Sequence, residues 1–276
     1  MPINNKEIEI LASYAQEIRL QSKDYLWQQI RKHKKMISFA QNYEDVYLKR
    51  LFPYPSSLTY VDVGAADPFI HSVTAWFYLT GSTGLNIDAD ERSYIQLCNY
   101  RPLDHNVCAF VGKDNGERIF VAHPVKSRST GRNEYIDYDL FDKKMLKRKT
   151  LRAQTLAEIL ENHKITPGFS LLKLDCEGSE LEIANSFDFL YFKPQIVIIE
   201  TAKPYDMTSE CKMGIADHSE EINEEMTKAG YYKVLFDGVN TWFAPMSSAK
   251  AVANTLGVPI GAHDRFVPFL ALQFVL

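Results

Sequence analysis

Three carboxylates close two apolar runs in the second half of the chain. Asp175 follows SLLKL, Glu177 stands two residues further on, and Glu200 ends PQIVIIE. If the two runs are neighbouring parallel strands, their last side chains share the rim where open α/β sheets bind ligands. Carboxylates crowded in this way raise one another's pKa, which suits one of them to take a proton from a hydroxyl near neutral pH. The same oxygens, those of Asp175 and Glu200 first, can instead hold Mg²⁺ with waters and substrate oxygens completing its octahedral shell. Both chemistries stay open at this level.

A second constellation lies upstream, in Val61-Asp62-Val63-Gly64-Ala65-Ala66-Asp67. Gly64 lets a ligand approach the backbone closely. A dinucleotide fingerprint needs three glycines in G-x-G-x-x-G to seat a pyrophosphate at a helix start, and one is present, which counts against an NAD-dependent sugar-modifying enzyme. S-adenosylmethionine has no phosphate; its amino-acid end asks for carboxylates and backbone donors, as Asp62, Gly64 and Asp67 offer. Strand-to-turn aspartates explain either acid taken alone. The next run, GLNID, ends on Asp88, close to the ~20-residue interval expected of a ribose-binding acid after the first glycine loop. Its two oxygens suit two ribose hydroxyls, with Asp90 and Glu91 read as acids at a helix start. Ala65, Ala66, Ser72 and Ala89 are expected in the same cofactor site. A third strand over Asn106–Gly112 supplies Phe110 and Val111 to the adenine ring, although core packing explains Val107 and Ala109 equally well.

The elements holding these groups follow from alternation. From Tyr60 short apolar runs alternate with longer amphipathic ones, which means a parallel sheet covered on both faces. A helix is expected from about Ser219 to Ala229, with Asp217 and Glu220 spaced as a capping box and Gly230 at its end. YYKVLF and NTWFA then flank Asp237, Gly238 and Val239 as a hairpin. Five parallel strands closed by a hairpin give an α/β, Rossmann-like class I methyltransferase sheet: seven-stranded, mostly parallel, with a C-terminal antiparallel hairpin. The domain is expected over 38–246, preceded by a helical extension over 1–37 and followed by an apolar extension over 247–276. The tail FVPFLALQFVL is too short to cross a bilayer and reads as a buried strand or subunit contact.

Composition narrows the setting. The 276 residues are 46% hydrophobic, enough for one large core, and the formal net charge of -4 is spread over intermixed acids and bases. No nucleic-acid partner is therefore required. Cys98, Cys108, Cys176 and Cys211 lack CxxC spacing and read as reduced thiols, and no segment resembles a signal or membrane span. A cytoplasmic protein is expected, with a homo-oligomer through the terminal extensions as a further possibility.

Taken together, SFAQNYEDVYLKRLF, YVDVGAADPF, GLNIDAD, LLKLDCEGSELEI and QIVIIE resemble the FkbM family of S-adenosylmethionine-dependent methyltransferases, from about Ser38 to Ala244. Asp175-Cys176-Glu177-Gly178-Ser179-Glu180 matches the family's D-x-E-G-x-E block. The resemblance implies O-methylation of a sugar, glycan or natural-product acceptor. It also brings the S-Q-x-x-E-D signature, with Gln41 and Glu44, over the cofactor mouth, where the alternative is a surface helix start. Ala66 replaces a frequent Asn, and Cys176 a small aliphatic residue. A non-catalytic cofactor-binding or interaction module on the same fold is the competing class.

The remaining expectations are plainer. Glu180 and Glu182 read as acids complementing a helix dipole, Asn240 as a turn residue or an acceptor contact, and His71 as the one histidine near the first glycine loop. Lys143, Lys144, Lys147, Arg148 and Lys149 read as a solvated helix face, with attraction of a phosphorylated acceptor as the alternative. Residues 123–150 and 202–218 are expected to wall the acceptor pocket.

Overall fold

The computed structural model describes residues 36–54, 58–124, 129–131, 146–201 and 218–270. All but the last two residues of the expected helical extension over 1–37, Lys143, Lys144, Cys211, Asp217 and most of both acceptor-wall segments lie outside them. Strands β1 (Met36–Ser38), β2 (Thr59–Val63), β3 (Thr83–Asp88), β4 (His105–Cys108), β5 (Phe110–Val111), β6 (Glu117–Ala122) and β7 (Lys147–Gln154) come first. They are followed by β8 (Leu171–Leu174), β9 (Ile196–Glu200), β10 (Tyr231–Phe236), β11 (Asn240–Pro245) and β12 (Phe266–Pro268). The α-helices are α1 (Glu44–Leu51), α2 (Ala75–Leu79), α3 (Glu91–Tyr100), α4 (Leu156–Asn162), α5 (Glu180–Ser186), α6 (Phe189–Phe192), α7 (Ser219–Lys228) and α8 (Met246–Leu256).

Seven strands form one mixed sheet in the order β10-β11-β9-β8-β2-β3-β4. Five are parallel, and β11 runs antiparallel to both β9 and β10. The hairpin expected around Asp237 and Gly238 is present, with Gly238 at φ 99°, where a side chain would be strained. Period-two alternation divides the sheet residues between two cores. Tyr60, Leu171, Ile198 and Trp242 pack against α1, α2 and α8, while Val61, Leu172, Val197 and Phe243 pack against α4, α5 and α7. Both faces are covered, so even polar side chains of the central strands are buried.

Four expectations change. The run Asn106–Gly112 is not one strand: it leaves the main sheet after Cys108, and Phe110–Val111 joins a small sheet ordered β5-β7-β6. Lys147, Arg148 and Lys149 lie on strand β7 rather than on a helix, exposed because β6 and β7 form a ribbon with one solvated side. Helix α7 is capped by His218 with no side-chain hydrogen bond, so the Asp217–Glu220 box does not start it. Part of the C-terminal extension shares the main core: Leu256 of α8 is buried there, and β12 pairs in parallel with β1.

Candidate active site

A cleft and a buried polar network meet at the carboxyl end of the sheet, where Asp175 and Glu177 belong to both. The first lies over the α4/α5 side. Its walls are apolar, from Val63, Ile87, Ala109, Phe110, Val111 and Phe120, and its polar groups are Asp88, Asp175 and Glu177 with Ser129 and Ser179. Among the described residues no lysine or arginine lines it, so it offers no cationic side chain to a pyrophosphate and three carboxylates to a cationic ligand.

Local geometry explains why the cleft forms there. Asp88, at the end of β3, accepts the Ala66 N–H at 2.8 Å and the Asp90 N–H at 2.7 Å, tying the turn after β2 to the turn after β3. Ala66 sits at φ 49°, a left-handed conformation in which Asn is favoured over Ala, which accounts for the residue usual at this position in the family it resembles. Gly64 has a role different from the one expected. At φ 79°, a Cβ here would stand 1.7 Å from the Asp175 carbonyl oxygen. The glycine therefore serves the approach of the two strand ends as well as that of a ligand.

The second, the pit, is a network of buried polar side chains on the opposite face. Asp62, Lys173 and Ile198 share one rung of the sheet, and Glu200 pairs with Asn240 on the next. The Lys173 ammonium donates to Asp175 Oδ2 at 2.9 Å and lies 3.6 Å from Asp62 Oδ1. Asp175, Glu177 and Glu200 each bring a carboxylate oxygen within 4.8 Å of the others. Burial raises the Glu200 pKa well above the usual carboxylate range, and the charges of Asp175, Glu177 and Glu180 add to it. Burial also acts to raise Asp175, but the Lys173 ammonium and hydrogen bonds from Lys173 and Glu200 hold its pKa below the ordinary value. Of the two neighbouring carboxylates, Asp175 is thus the one favoured to ionise and Glu200 the one favoured to hold a proton.

The segment between Asp175 and α5 is shaped from behind. The buried Glu180 carboxylate accepts the Cys176 N–H at 2.6 Å and the Gly178 N–H at 2.9 Å. That loop holds Glu177 at φ 54° with its side chain at the cleft, while its carbonyl accepts from Thr130 Oγ1. Glu180 is therefore a loop organiser and not merely a dipole complement. Glu182 likewise accepts the Lys113 N–H and pairs with Arg118.

Of the residues expected at a cofactor, the structure brings Gly64, Ala66, Asp88, Ala89, Phe110, Val111 and Asp175 to the cleft. It places the others elsewhere. Asp62 is buried and accepts from Thr74 Oγ1 at 2.9 Å. Ser72 lies in the buried Arg101 network, where Arg101 Nη1 approaches its hydroxyl at 3.3 Å. Asp67 accepts the Phe69 and Ile70 N–H groups of its own turn, and Ala65 is buried, its N–H donating to Ile87. Gln41 is exposed outside the cleft, and buried Glu44 accepts from Asn240 Nδ2 at 2.9 Å and from the Asn42 N–H. Glu44 thus faces the pit rather than the cofactor mouth, and Asn240 is a buried strand residue bound to it. His71 takes a left-handed conformation opposite Ala40, away from the cleft. The sequence reading passed over Lys173 and gave Glu180 only a dipole role. For Lys173 the signal was a lysine between two leucines in a strand covered on both faces.

The Methyltransferase FkbM domain family matches residues 62–232, more than half of the chain. No curated protein matches it. Similar solved structures include a TehB-like SAM-dependent methyltransferase from Corynebacterium glutamicum, at 8% identity over 85% of this chain and 99% of that one, TM-score 0.38. An O-methyltransferase from Bacillus cereus in complex with SAH matches at 11% identity over 80% of this chain and 87% of that one, also with a TM-score of 0.38.

Proposed function

Because the chain belongs to the FkbM methyltransferase family, an S-adenosylmethionine-dependent class, we propose that it methylates a hydroxyl oxygen on a sugar, glycan or natural-product acceptor. The observation carrying this reading is the Asp175–Glu200 pair at the point where cleft and pit meet.

The cleft suits the cofactor by its donor set. Asp88 stands where a ribose is held, Ile87, Phe110 and Val111 offer flat apolar contact to a base, and the carboxylates at the other end favour a positively charged group. When bound, S-adenosylmethionine supplies a methyl group already electrophilic on its sulfonium. The protein's task is then alignment of an acceptor oxygen at about 3 to 3.5 Å. As the new carbon–oxygen bond forms, the hydroxyl proton becomes strongly acidic, so even the low-pKa carboxylate of Asp175 accepts it. Glu200, whose pKa burial and the neighbouring carboxylates raise, hydrogen-bonds Asp175 and helps to keep it ionised. An amine entering the same rim would be held as an ammonium ion without a lone pair, which favours oxygen over nitrogen.

A second reading uses a divalent cation. The oxygen-only set of Asp175, Glu177 and Glu200 has the chemistry of a Mg²⁺ site, and such an ion would displace the Glu200 proton. It would compete with Lys173 for Asp175 Oδ2.

The experiment is incubation with labelled cofactor and a panel of glycans and natural products, followed by mass spectrometry for one added methyl on oxygen. Asp175→Asn is expected to lower kcat by about 10³-fold while S-adenosylhomocysteine still binds. Methylation on nitrogen or carbon would overturn the acceptor assignment, and loss of turnover in EDTA with recovery in Mg²⁺ would select the metal route. Thermal unfolding with S-adenosylmethionine, S-adenosylhomocysteine and NAD tests the cofactor separately: stabilisation by NAD alone would remove the whole reading.

A further inference from the structure

We propose that Lys173 is the positioning residue of the site: clamped between Asp62 and Asp175, it turns the Asp175 carboxylate to the rim where cleft and pit meet. The inference rests on the hydroxyl-methylation reading for its functional consequence, and on geometry alone for the positioning.

Lys173 lies on β8 with both neighbours, Leu172 and Leu174, in the opposite core, so its side chain points into the pit face. It is 6% exposed, a level at which lysine is rare unless paired. Its ammonium bonds Asp175 Oδ2 at 2.9 Å, two residues along the same strand face. On the neighbouring strand its direct partner in register is Asp62, 3.6 Å away between charged atoms. Asp62 is itself held by Thr74 Oγ1 at 2.9 Å, from the residue that starts α2. Thr74, Asp62, Lys173 and Asp175 thus form a chain running from a helix start, through the sheet, to the reacting rim. Asp62 belongs to this chain as the counter-ion of Lys173, which explains why the acid beside the glycine turn faces away from the cleft.

A buried ion pair of this kind adds little net stability compared with apolar packing, so what it supplies is orientation rather than folding energy. Without the ammonium, Asp175 keeps only its lateral contact with Glu200, and its carboxylate is free to rotate about χ1.

The test compares crystals of wild type, Lys173→Met and the double variant Lys173→Met/Asp62→Asn, each soaked with S-adenosylhomocysteine. The double variant guards against misfolding, because it removes the carboxylate that the single variant would leave buried without its partner. In both variants the Asp175 carboxylate is expected to move by about 1 Å or more from its wild-type position, a displacement that costs on the order of 100-fold in rate. S-adenosylhomocysteine affinity should stay within about threefold, since Lys173 does not line the cleft. An Asp175 carboxylate that keeps its place in the double variant overturns the proposal. Turnover is read in parallel on a panel of methyl hexopyranosides by release of S-adenosylhomocysteine, with kcat falling about 100-fold and cofactor KM unchanged. If kcat and cofactor KM move together, Lys173 is merely structural. If wild type methylates none of the panel, the sugar-hydroxyl reading fails on its own, and the position of Asp175 still decides the role of Lys173.

Discussion

The cleft and the pit share one sheet edge and are built by opposite means. In the cleft, backbone turns and apolar side chains do most of the shaping, and Asp88 ties two turns together through main-chain N–H groups. In the pit, side chains hold one another: Lys173 of β8 with Asp62 of β2 and with Asp175, and Asn240 of β11 with Glu44 of α1. A surface made of backbone and methyl groups tolerates side-chain change. A network of buried charges fails when a single partner is removed, because the group left behind keeps its desolvation cost. The cleft is thus expected to tolerate substitution better than the pit.

The contrast breaks most severely at the seam. Gly64→Ala pushes a Cβ into the Asp175 carbonyl and imposes a positive φ on alanine, so urea unfolding should show a loss of about 4 kcal/mol or more. A loss below 1 kcal/mol would mean that the strand ends separate easily and that cleft and pit are independent.

Next comes the loop that joins the two sides, held by Glu180. Burial lifts Glu180 from 4.5 to about 7, so between those values the folded protein binds a proton more readily than the unfolded chain. Stability from this group is fully present below pH 4.5 and is lost as pH rises through 7. Glu180→Gln should therefore gain on wild type by about 3 kcal/mol between pH 4.5 and 8. A difference that stays flat across that range would show that the loop amides satisfy the carboxylate completely.

On the cleft side the expected effects are smaller. Asp88→Ala should weaken S-adenosylhomocysteine binding by about 2 kcal/mol in calorimetry, the size of lost charge-assisted hydrogen bonds. Unchanged affinity would move the ribose elsewhere. Ala66→Asn should raise the unfolding free energy by about 0.5 kcal/mol, since Asn tolerates the left-handed conformation better. Destabilisation would show that the turn has no room for a polar side chain.

Much of this architecture was legible in the chain. Apolar runs ending in Asp88, Asp175 and Glu200 marked the strand ends because a buried parallel strand is a short apolar word with its polar group at the open edge. Asp88 was legible as a cleft residue for the same reason. The pit was not, because its contacts join residues far apart in sequence: Glu44 with Asn240, and Asp62 with Thr74 and Lys173. Nearness in sequence misled at Ser72, which follows the glycine turn closely yet turns to the buried Arg101. Asp62 misled through alternation: its neighbours Val61 and Val63 face one core, so Asp62 must face the other. Glu180 was read from its place at a helix start, whereas its carboxylate reaches back to the loop before it.

The pairing of β1 with β12 sets an order of events. Met36 and Ile37 are fully buried, yet the strand that completes their ribbon is Phe266–Pro268, so nearly the whole domain is synthesised between the two halves of one small structure. Contacts this distant along the chain carry a larger loop-closure cost than the pairings inside the main sheet. The segment carrying Glu44 and Asp45, whose carboxylate accepts from Ser38 and Phe39, follows β1 directly. Among the described strands, the last to be synthesised is therefore the one that pairs with the first, beside the helix whose Glu44 binds Asn240.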